Sequence, residues 1–160
     1  MILRDYIPTD AESLAEVYRD AARNLGRQAY TDAQTSVWAL HPEDMEPFRA
    51  TLSAGQTICG GVDGSLVAFG QLNPMDHIAY LYCHSAHARR GYASAILAKL
   101  EEHAAANRVS TIHVEASCVA RPFSERFGYL VVEEERPIRQ GLEFLRFKMK
   151  KELPNENATS

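Results

Sequence analysis

The stretch that decides the fold reads Ala88-Arg89-Arg90-Gly91-Tyr92-Ala93-Ser94 and lies between a predicted strand, 77–83, and a predicted helix, 91–106. The first N–H groups of a helix have no partner within it, and the helix dipole makes that end positive. A glycine there lets a ligand approach the backbone, and neighbouring arginines add charge. The turn therefore predicts an anion site that fits a pyrophosphate. Taken alone, the same residues would also fit an ordinary loop with solvated arginines.

Strand and helix patterns alternate along the rest of the chain. Asp63-Gly64 fits a tight hairpin turn between two strands. The predicted strands are 2–7, 56–62, 65–72, 77–83, 111–116, 129–136 and 142–150. The predicted helices are an amphipathic one after the capping-box spacing of 9–12, two more at 31–38 and 43–52, then 91–106, and a short one that begins around Pro122. This order predicts an α/β (α+β) fold.

Length and composition indicate one globular domain. The chain has 160 residues, 46% of them hydrophobic and 24% charged, and we expect a single domain over residues 1–151 with a disordered tail over 152–160. A net charge of −4 gives no electrostatic reason to expect nucleic acid as a partner. Charges near the N-terminus and the lack of a long apolar run argue against a signal peptide and a membrane span, so we expect a cytoplasmic protein.

The three cysteines, Cys59, Cys83 and Cys118, lie in apolar or small-residue stretches, as reduced core thiols do. Cys83, His84 and His87 could begin a metal site. No second CxxC or HxxxH element completes four ligands, so we predict no metal.

The quoted turn resembles motif A of the GNAT acetyltransferases, which reads Gln or Arg, two residues, Gly, one residue, then Gly or Ala. Gly91 and Ala93 match this pattern, whereas Ala88 replaces the first side chain and leaves the backbone cradle. A second stretch, Ala120-Arg121-Pro122-Phe123-Ser124-Glu125-Arg126-Phe127-Gly128-Tyr129, resembles the short helix and Gly-aromatic turn that follow the fifth strand of that family. It is also similar to a bacterial subgroup with an ARPFFER-like helix and a Tyr-to-Trp-Ala segment, here Tyr30 to Ala39.

The resemblance implies a GNAT fold, with a mixed central sheet of about six to seven strands flanked by about four helices, and acetyl-coenzyme A as cosubstrate. In the family the fourth strand splays from the fifth and binds the pantetheine arm through its backbone. Carried onto this chain, the pantetheine residues are Leu81, Tyr82 and Cys83, and the pyrophosphate residues are Arg89, Arg90, Gly91, Tyr92, Ala93 and Ser94. Ser117 would face the acetyl end, with Phe123 and Arg126 along the same channel, although Phe123 fits the core equally well.

Catalytic roles follow less directly. A carboxylate base of the family lies fourteen positions before the motif glycine, which corresponds here to His77; a solvent-facing strand-end histidine is the competing interpretation. Weaker candidates for the base are Glu115, His113 and Tyr80. In the family a tyrosine on the short helix is the usual general acid, and the corresponding position here is Ser124. A serine hydroxyl is a poorer proton donor than a phenol, so Tyr82, Tyr129 and water also stay open as the acid.

The resemblance implies an N-acetyltransferase that acts on a primary amine of a small molecule or peptide. A coenzyme A-binding regulatory module without turnover is the alternative, and a small structural partner of another protein is a third. The family builds its acceptor pocket from variable segments, here 30–52 and 135–142, where Tyr30 and Trp38 could line the pocket or belong to the core. A homodimer is left open.

Overall fold

The computed structural model describes residues 1–154. Its strands are β1 (Ile2–Asp5), β2 (Gln56–Val62), β3 (Ser65–Leu72), β4 (His77–Cys83), β5 (Thr111–Ser117), β6 (Leu130–Glu135), β7 (Ile138–Arg139), β8 (Leu142–Glu143) and β9 (Arg146–Glu152). Its helices are α1 (Ala11–Asp20), α2 (Asp32–Ala39), α3 (Met45–Ala54), α4 (Tyr92–Ala106) and α5 (Ala120–Arg126). Within residues 1–154, no helix is long and apolar enough to cross a membrane.

Seven strands form one mixed sheet in the order β1-β2-β3-β4-β5-β9-β6. Its neighbouring strands are antiparallel except β4 and β5, which are parallel because α4 connects them. The predicted α/β class, the β-α-β unit and the mixed sheet are therefore confirmed, with one helix more than the predicted four. The β2–β3 hairpin also matches its prediction, since Asp63 and Gly64 both have positive φ, 51° and 82°.

The sheet has a hydrophobic core on each face. On one face α4 packs Ile96, Leu97 and Leu100, all at most 2% exposed, against the central strands. On the other face α1 and α3 bury Leu14 and Leu52. Burying an apolar side chain of this size stabilises the folded state by about 1.5–3 kcal/mol. The two cores therefore hold the central strands in place between the helices.

The first helix begins differently from the prediction. The Asp10 carboxylate, not the Thr9 and Glu12 pair, accepts the free Ile7 N–H at 2.9 Å. Arg4 donates two hydrogen bonds to the same carboxylate, at 2.7 and 2.8 Å, which holds the pKa of Asp10 below its usual value together with the Ile7 bond. After α1 the helix widens into a π-helical turn, Ala21–Leu25, before Gly26.

The predicted strand over 142–150 is interrupted in the structure. Residues 144 and 145 separate β8 from β9, because β8 pairs with β7 in a two-stranded ribbon outside the main sheet. We call this ribbon, residues 136–144, the β7–β8 hairpin. At the other end β9 continues through Glu152, and Leu153 is buried, just beyond the predicted boundary at 151. The rest of the predicted tail, 155–160, lies outside the described residues.

We predict that Gly55→Ala destabilises the fold. A Cβ there would overlap the Leu72 carbonyl oxygen and come within 2.8 Å of Asn73 Cβ. Overpacking against backbone costs about 3 kcal/mol, measurable as free energy of unfolding by urea titration. Gly61→Ala is the matched control, since its Cβ would meet its nearest atom at 3.6 Å. Equal unfolding free energies for the two variants would contradict the close approach at Gly55.

Candidate active site

Strands β4 and β5 separate soon after they meet. They pair only through His77↔His113 and Ile78↔Val114. Beyond that point β4 stays paired with β3, and β5 stays paired with β9 as far as Ser117. The β3–β4 register shifts by one residue between Tyr80 and Ile78, which makes Ala79 the extra residue of a bulge. The facing edges of β4 and β5 consequently open into a wedge.

A cavity of about 540 Å³ occupies this wedge. Ala93 of α4 and Ala120, Phe123 and Ser124 at α5 line one side, which belongs to the α4 face of the sheet. Tyr18 of α1, Trp38 of α2 and the β7–β8 hairpin line the other side. The cavity thus runs between the strands from one face of the sheet to the other.

The turn over residues 88–94, which the sequence predicts to bind an anion, lies at the α4 end of the wedge; we call it the anion turn. Gly91 is the residue before α4 and has φ 83°, a left-handed conformation that costs a non-glycine residue about 1–2 kcal/mol. Arg89 also has positive φ, 62°, and the side chains of Arg89 and Arg90 are exposed. The preceding loop is held by Asp20, whose carboxylate accepts the Ser85 N–H at 2.6 Å and its hydroxyl at 3.1 Å. The helix N-terminus is therefore accessible to an anion.

His77 and Glu115 meet across the narrow end of the wedge. His77 Nε2 lies 2.5 Å from Glu115 Oε2, and His77 Nδ1 lies 3.0 Å from the Asn73 carbonyl oxygen. When Glu115 is ionised both partners are acceptors, so both ring nitrogens donate, which is the imidazolium form. Burial lowers the pKa of His77, but the bond to Glu115, then the bond to Asn73 and the Glu115 charge, outweigh it and raise that pKa above its usual value. The pair holds one proton between an imidazole and a carboxylate.

Comparison with known proteins identifies the family. The model of the acetyltransferase (GNAT) domain matches residues 27–153. The chain belongs to this family. It is 30% identical over 149 residues to the uncharacterized N-acetyltransferase YafP of Escherichia coli (strain K12), covering 92% of this chain and 93% of that one.

Solved structures agree with this assignment. A GCN5-related N-acetyltransferase from Rhodopseudomonas palustris superposes with a TM-score of 0.92 at 29% identity, covering 95% of each chain. The PaiA N-acetyltransferase of Thermoplasma acidophilum, solved with coenzyme A, has a TM-score of 0.77 at 15% identity over 94% of this chain and 98% of its own. The second likeness is one of fold. The narrower ARPFFER-like subgroup stays a prediction.

This GNAT chain brings six of the predicted cofactor residues to the cavity wall: Leu81, Tyr82, Cys83, Ala93, Ser117 and Phe123. The other residues predicted to bind the cofactor pyrophosphate lie outside the cavity lining, at the turn before α4 and in its first residues: Arg89, Arg90, Gly91, Tyr92 and Ser94. Arg126 is exposed, with its guanidinium 5.9 Å from the centre of the Phe123 ring, and does not reach the wall.

The predicted acid candidates occupy different environments. Ser124 is 8% exposed and lines the cavity. Burial raises the pKa of Tyr82, more than hydrogen bonds to Trp38 and Tyr18 lower it, so Tyr82 carries its proton at neutral pH. Tyr129 is 1% exposed within the α4-side core and is not among the residues that line the cavity.

The sequence reasoning did not single out Tyr18, His41, Arg139 or Phe144, which also line the cavity. Tyr18 follows the helical apolar spacing, so its pattern predicts only a buried face. His41 accompanies the helix break at Pro42, yet its Nε2 lies 2.7 Å from the Tyr80 hydroxyl. Tyr30 and Trp38, two open candidates for the pocket, do line it.

Cys59 and Cys83 are buried free thiols, as the sequence predicts, and Cys118 is half-buried. Cys83 is 9% exposed, and its Sγ donates to the carbonyl oxygens of His84 and His87 at 3.5 Å. Burial raises the pKa of the Cys83 thiol. Within residues 1–154, no three His, Cys, Asp or Glu side chains converge as metal ligands would.

We predict that His77 titrates above the ordinary histidine pKa of about 6.5 and that Glu115→Gln lowers its pKa, measured by NMR of the imidazole resonances. A raised pKa in the folded state stabilises the protein below the unfolded value, and the effect is lost as pH rises through the folded value. The variant should therefore lose more unfolding free energy at about pH 6 than at about pH 9. Glu102→Gln, on the outer surface of α4, is the control. An unchanged His77 pKa would refute the pairing.

Proposed function

We propose that this GNAT protein transfers the acetyl group of acetyl-coenzyme A to a primary amine of a small molecule or peptide. The observation that carries the proposal is the β4–β5 wedge, which opens beside the α4 N-terminus and holds the hydrogen-bonded His77–Glu115 pair at its narrow end. Among proteins of the same fold, PaiA was solved with coenzyme A and Salmonella typhimurium yncA with acetyl-CoA. Both support this cosubstrate for the present chain.

The cofactor would follow the α4 side of the wedge. Its pyrophosphate would accept the free N–H groups at Gly91–Ser94, where the helix dipole and the two exposed arginines add positive charge. Its pantetheine amides would pair with the β4 backbone at Leu81–Cys83, on the edge that β5 leaves. The thioester would then lie near Ser117 and Phe123, where the cavity passes between the strands.

The acceptor would enter from the opposite face, where the reaction needs a base. An ammonium gives its proton to the His77–Glu115 pair, and the free amine attacks the thioester carbonyl carbon. A C–N bond forms and the C–S bond breaks. The coenzyme A thiolate takes a proton from Tyr82, Ser124 or water, and the amine nitrogen then loses its second proton, which restores that donor. The net reaction transfers one acetyl group and releases one proton, and it requires no redox partner.

The pair suits this role better than either residue alone. Once the shared proton is lost, neutral His77 faces the Glu115 carboxylate, and one oxygen or nitrogen of the pair can accept a new proton. Asn73 fixes the ring through Nδ1, so that Nε2 keeps its direction. Glu115 is about a third exposed at its side chain, which leaves it open to the amine or to a bridging water.

We predict that Gly91→Asp abolishes acetyl-coenzyme A binding in calorimetry, because a carboxylate would stand where the pyrophosphate approaches the backbone. Gly64→Asp is the matched control, since both glycines have similar positive φ and no heavy atom within 4 Å of a built Cβ. Gly91→Asn separates charge from shape and should weaken binding less. Unchanged affinity in Gly91→Asp would refute the pyrophosphate placement.

We predict that His77→Ala lowers kcat about a hundredfold with an accepted amine, since general-base assistance is worth about that much. Cofactor affinity should change little, because β4 would bind through its backbone. Glu115→Gln should move the acidic limb of the pH–rate profile to lower pH, because it removes the partner that raises the His77 pKa. Wild-type turnover and an unmoved limb in both variants would make the pair a bystander.

A further inference from the structure

The acceptor side of the cavity is lined mainly by aromatic rings. Tyr18 and Tyr82 lie with ring centroids 4.6 Å apart, and Tyr30 lies 5.7 Å from Trp38 and 6.1 Å from Phe144. Rings at these distances pack on one another, and together they give the acceptor side an aromatic wall that suits a flat apolar body better than a strongly hydrated one.

The charged side chains that line this cavity are not all paired. Its one carboxylate among residues 1–154, Glu115, is already bonded to His77. Arg146 donates from Nε to Glu135 at 2.7 Å, so its charge is compensated. Arg139 also lines the cavity, and no acceptor or acidic side chain within the described chain bonds its guanidinium. The pocket therefore offers a ligand one uncompensated positive charge.

Arg139 lies on the β7–β8 hairpin, which hydrogen bonds hold in place. The β7–β8 hairpin is closed by Phe144 N–H on the Pro137 carbonyl at 2.9 Å. Gln34 of α2 donates to the Glu143 carbonyl at 2.7 Å, which docks the hairpin against the pocket wall. Other arginines of this region are paired: Arg136, for example, bonds Glu143 at 3.2 Å.

Electrostatics agree with this placement. Burial raises the pKa values of Tyr18 and Tyr82 and lowers that of His41. The positive charge of Arg139 lowers the pKa of each of these three cavity groups, which come from α1, β4 and the loop before α3. The Arg139 side chain is exposed, and its charge is the smallest of the contributions named for each of these groups, so the placement of Arg139 rests on its position in the cavity wall.

The geometry points to an acceptor in which an aromatic or similarly flat apolar body carries a carboxylate as well as the amine, with Arg139 binding the carboxylate. This inference rests on the proposed function, because it assigns the amine end to the His77–Glu115 pair. A planar guanidinium pairs a carboxylate in a fork, whereas polycationic amines would need several free carboxylates that this pocket lacks. Arg139 is then a specificity residue.

The test uses two matched pairs of amines: L-phenylalanine with its amide, and 3-(aminomethyl)benzoate with 3-(aminomethyl)benzamide. Trp38 is the single tryptophan of the chain and lines the cavity, so its fluorescence reports binding without cofactor or turnover. We expect the carboxylate member of at least one pair to bind about tenfold more tightly, as a charge-assisted hydrogen bond allows. Arg139→Ala should remove that preference, and Arg139→Lys should restore part of it.

Arg136→Ala is the matched control, since Arg136 is on the same hairpin but is paired and outside the cavity lining. Equal binding within both pairs, no binding by any member, or equal losses in the two alanine variants would each overturn the inference. Thiol release from acetyl-coenzyme A is measured separately on the same amines. Discrimination without thiol release contradicts acetyl transfer to these amines and leaves only carboxylate binding by Arg139 standing. Thiol release without discrimination overturns the inference and leaves the proposed function standing.

Discussion

Strands β4 and β5 stay hydrogen-bonded for two residue pairs and then part, while each keeps its other neighbour. A parallel pair that opens in this way leaves N–H and C=O groups along two facing edges, and such groups need partners. A core lies on each face of the sheet, with α4 packed on one face and α1 and α3 on the other. The cavity, the turn before α4 and the His77–Glu115 pair all owe their relative positions to this divergence.

Beyond the bulge at Ala79, successive side chains of β4 point to opposite faces of the sheet, as in any strand. Tyr80 and Tyr82 belong to the core under α1 and α3, whereas Leu81 and Cys83 belong to the α4 side. The same short segment can thus present its backbone edge to a pantetheine arm and its aromatic side chains to an acceptor. A change of side chain at Tyr82 would alter the acceptor side more than the cofactor side.

The hydrogen-bonded pair in the wedge, His77 and Glu115, joins residues that are far apart in sequence. His77 and Glu115 are 38 positions apart, and they meet because the only two β4–β5 pairs place the start of β4 beside the middle of β5. The two contacts of the His77 ring have different effects. The Asn73 carbonyl oxygen orients the ring through Nδ1, and the Glu115 carboxylate supplies the negative charge that raises the His77 pKa. The β7–β8 hairpin likewise brings Arg139 to the cavity wall, and Gln34 of α2 bonds this hairpin at the Glu143 carbonyl oxygen.

Local chemistry along the chain determined most of the elements. Asp63-Gly64 specifies its hairpin because few other residues accept two positive φ values in succession, and Gly91 specifies the start of α4 for a similar reason. These are short-range constraints, so they are visible in the sequence. The strand predicted over 142–150 failed to stay continuous because its pairing partner, β7, is decided by contacts beyond its own pattern. Tertiary structure alone decided that His77 bonds Glu115, that His41 bonds Tyr80 and that Arg139 faces a cavity, since strand register and helix docking bring together residues whose spacing in sequence carries no information about their distance.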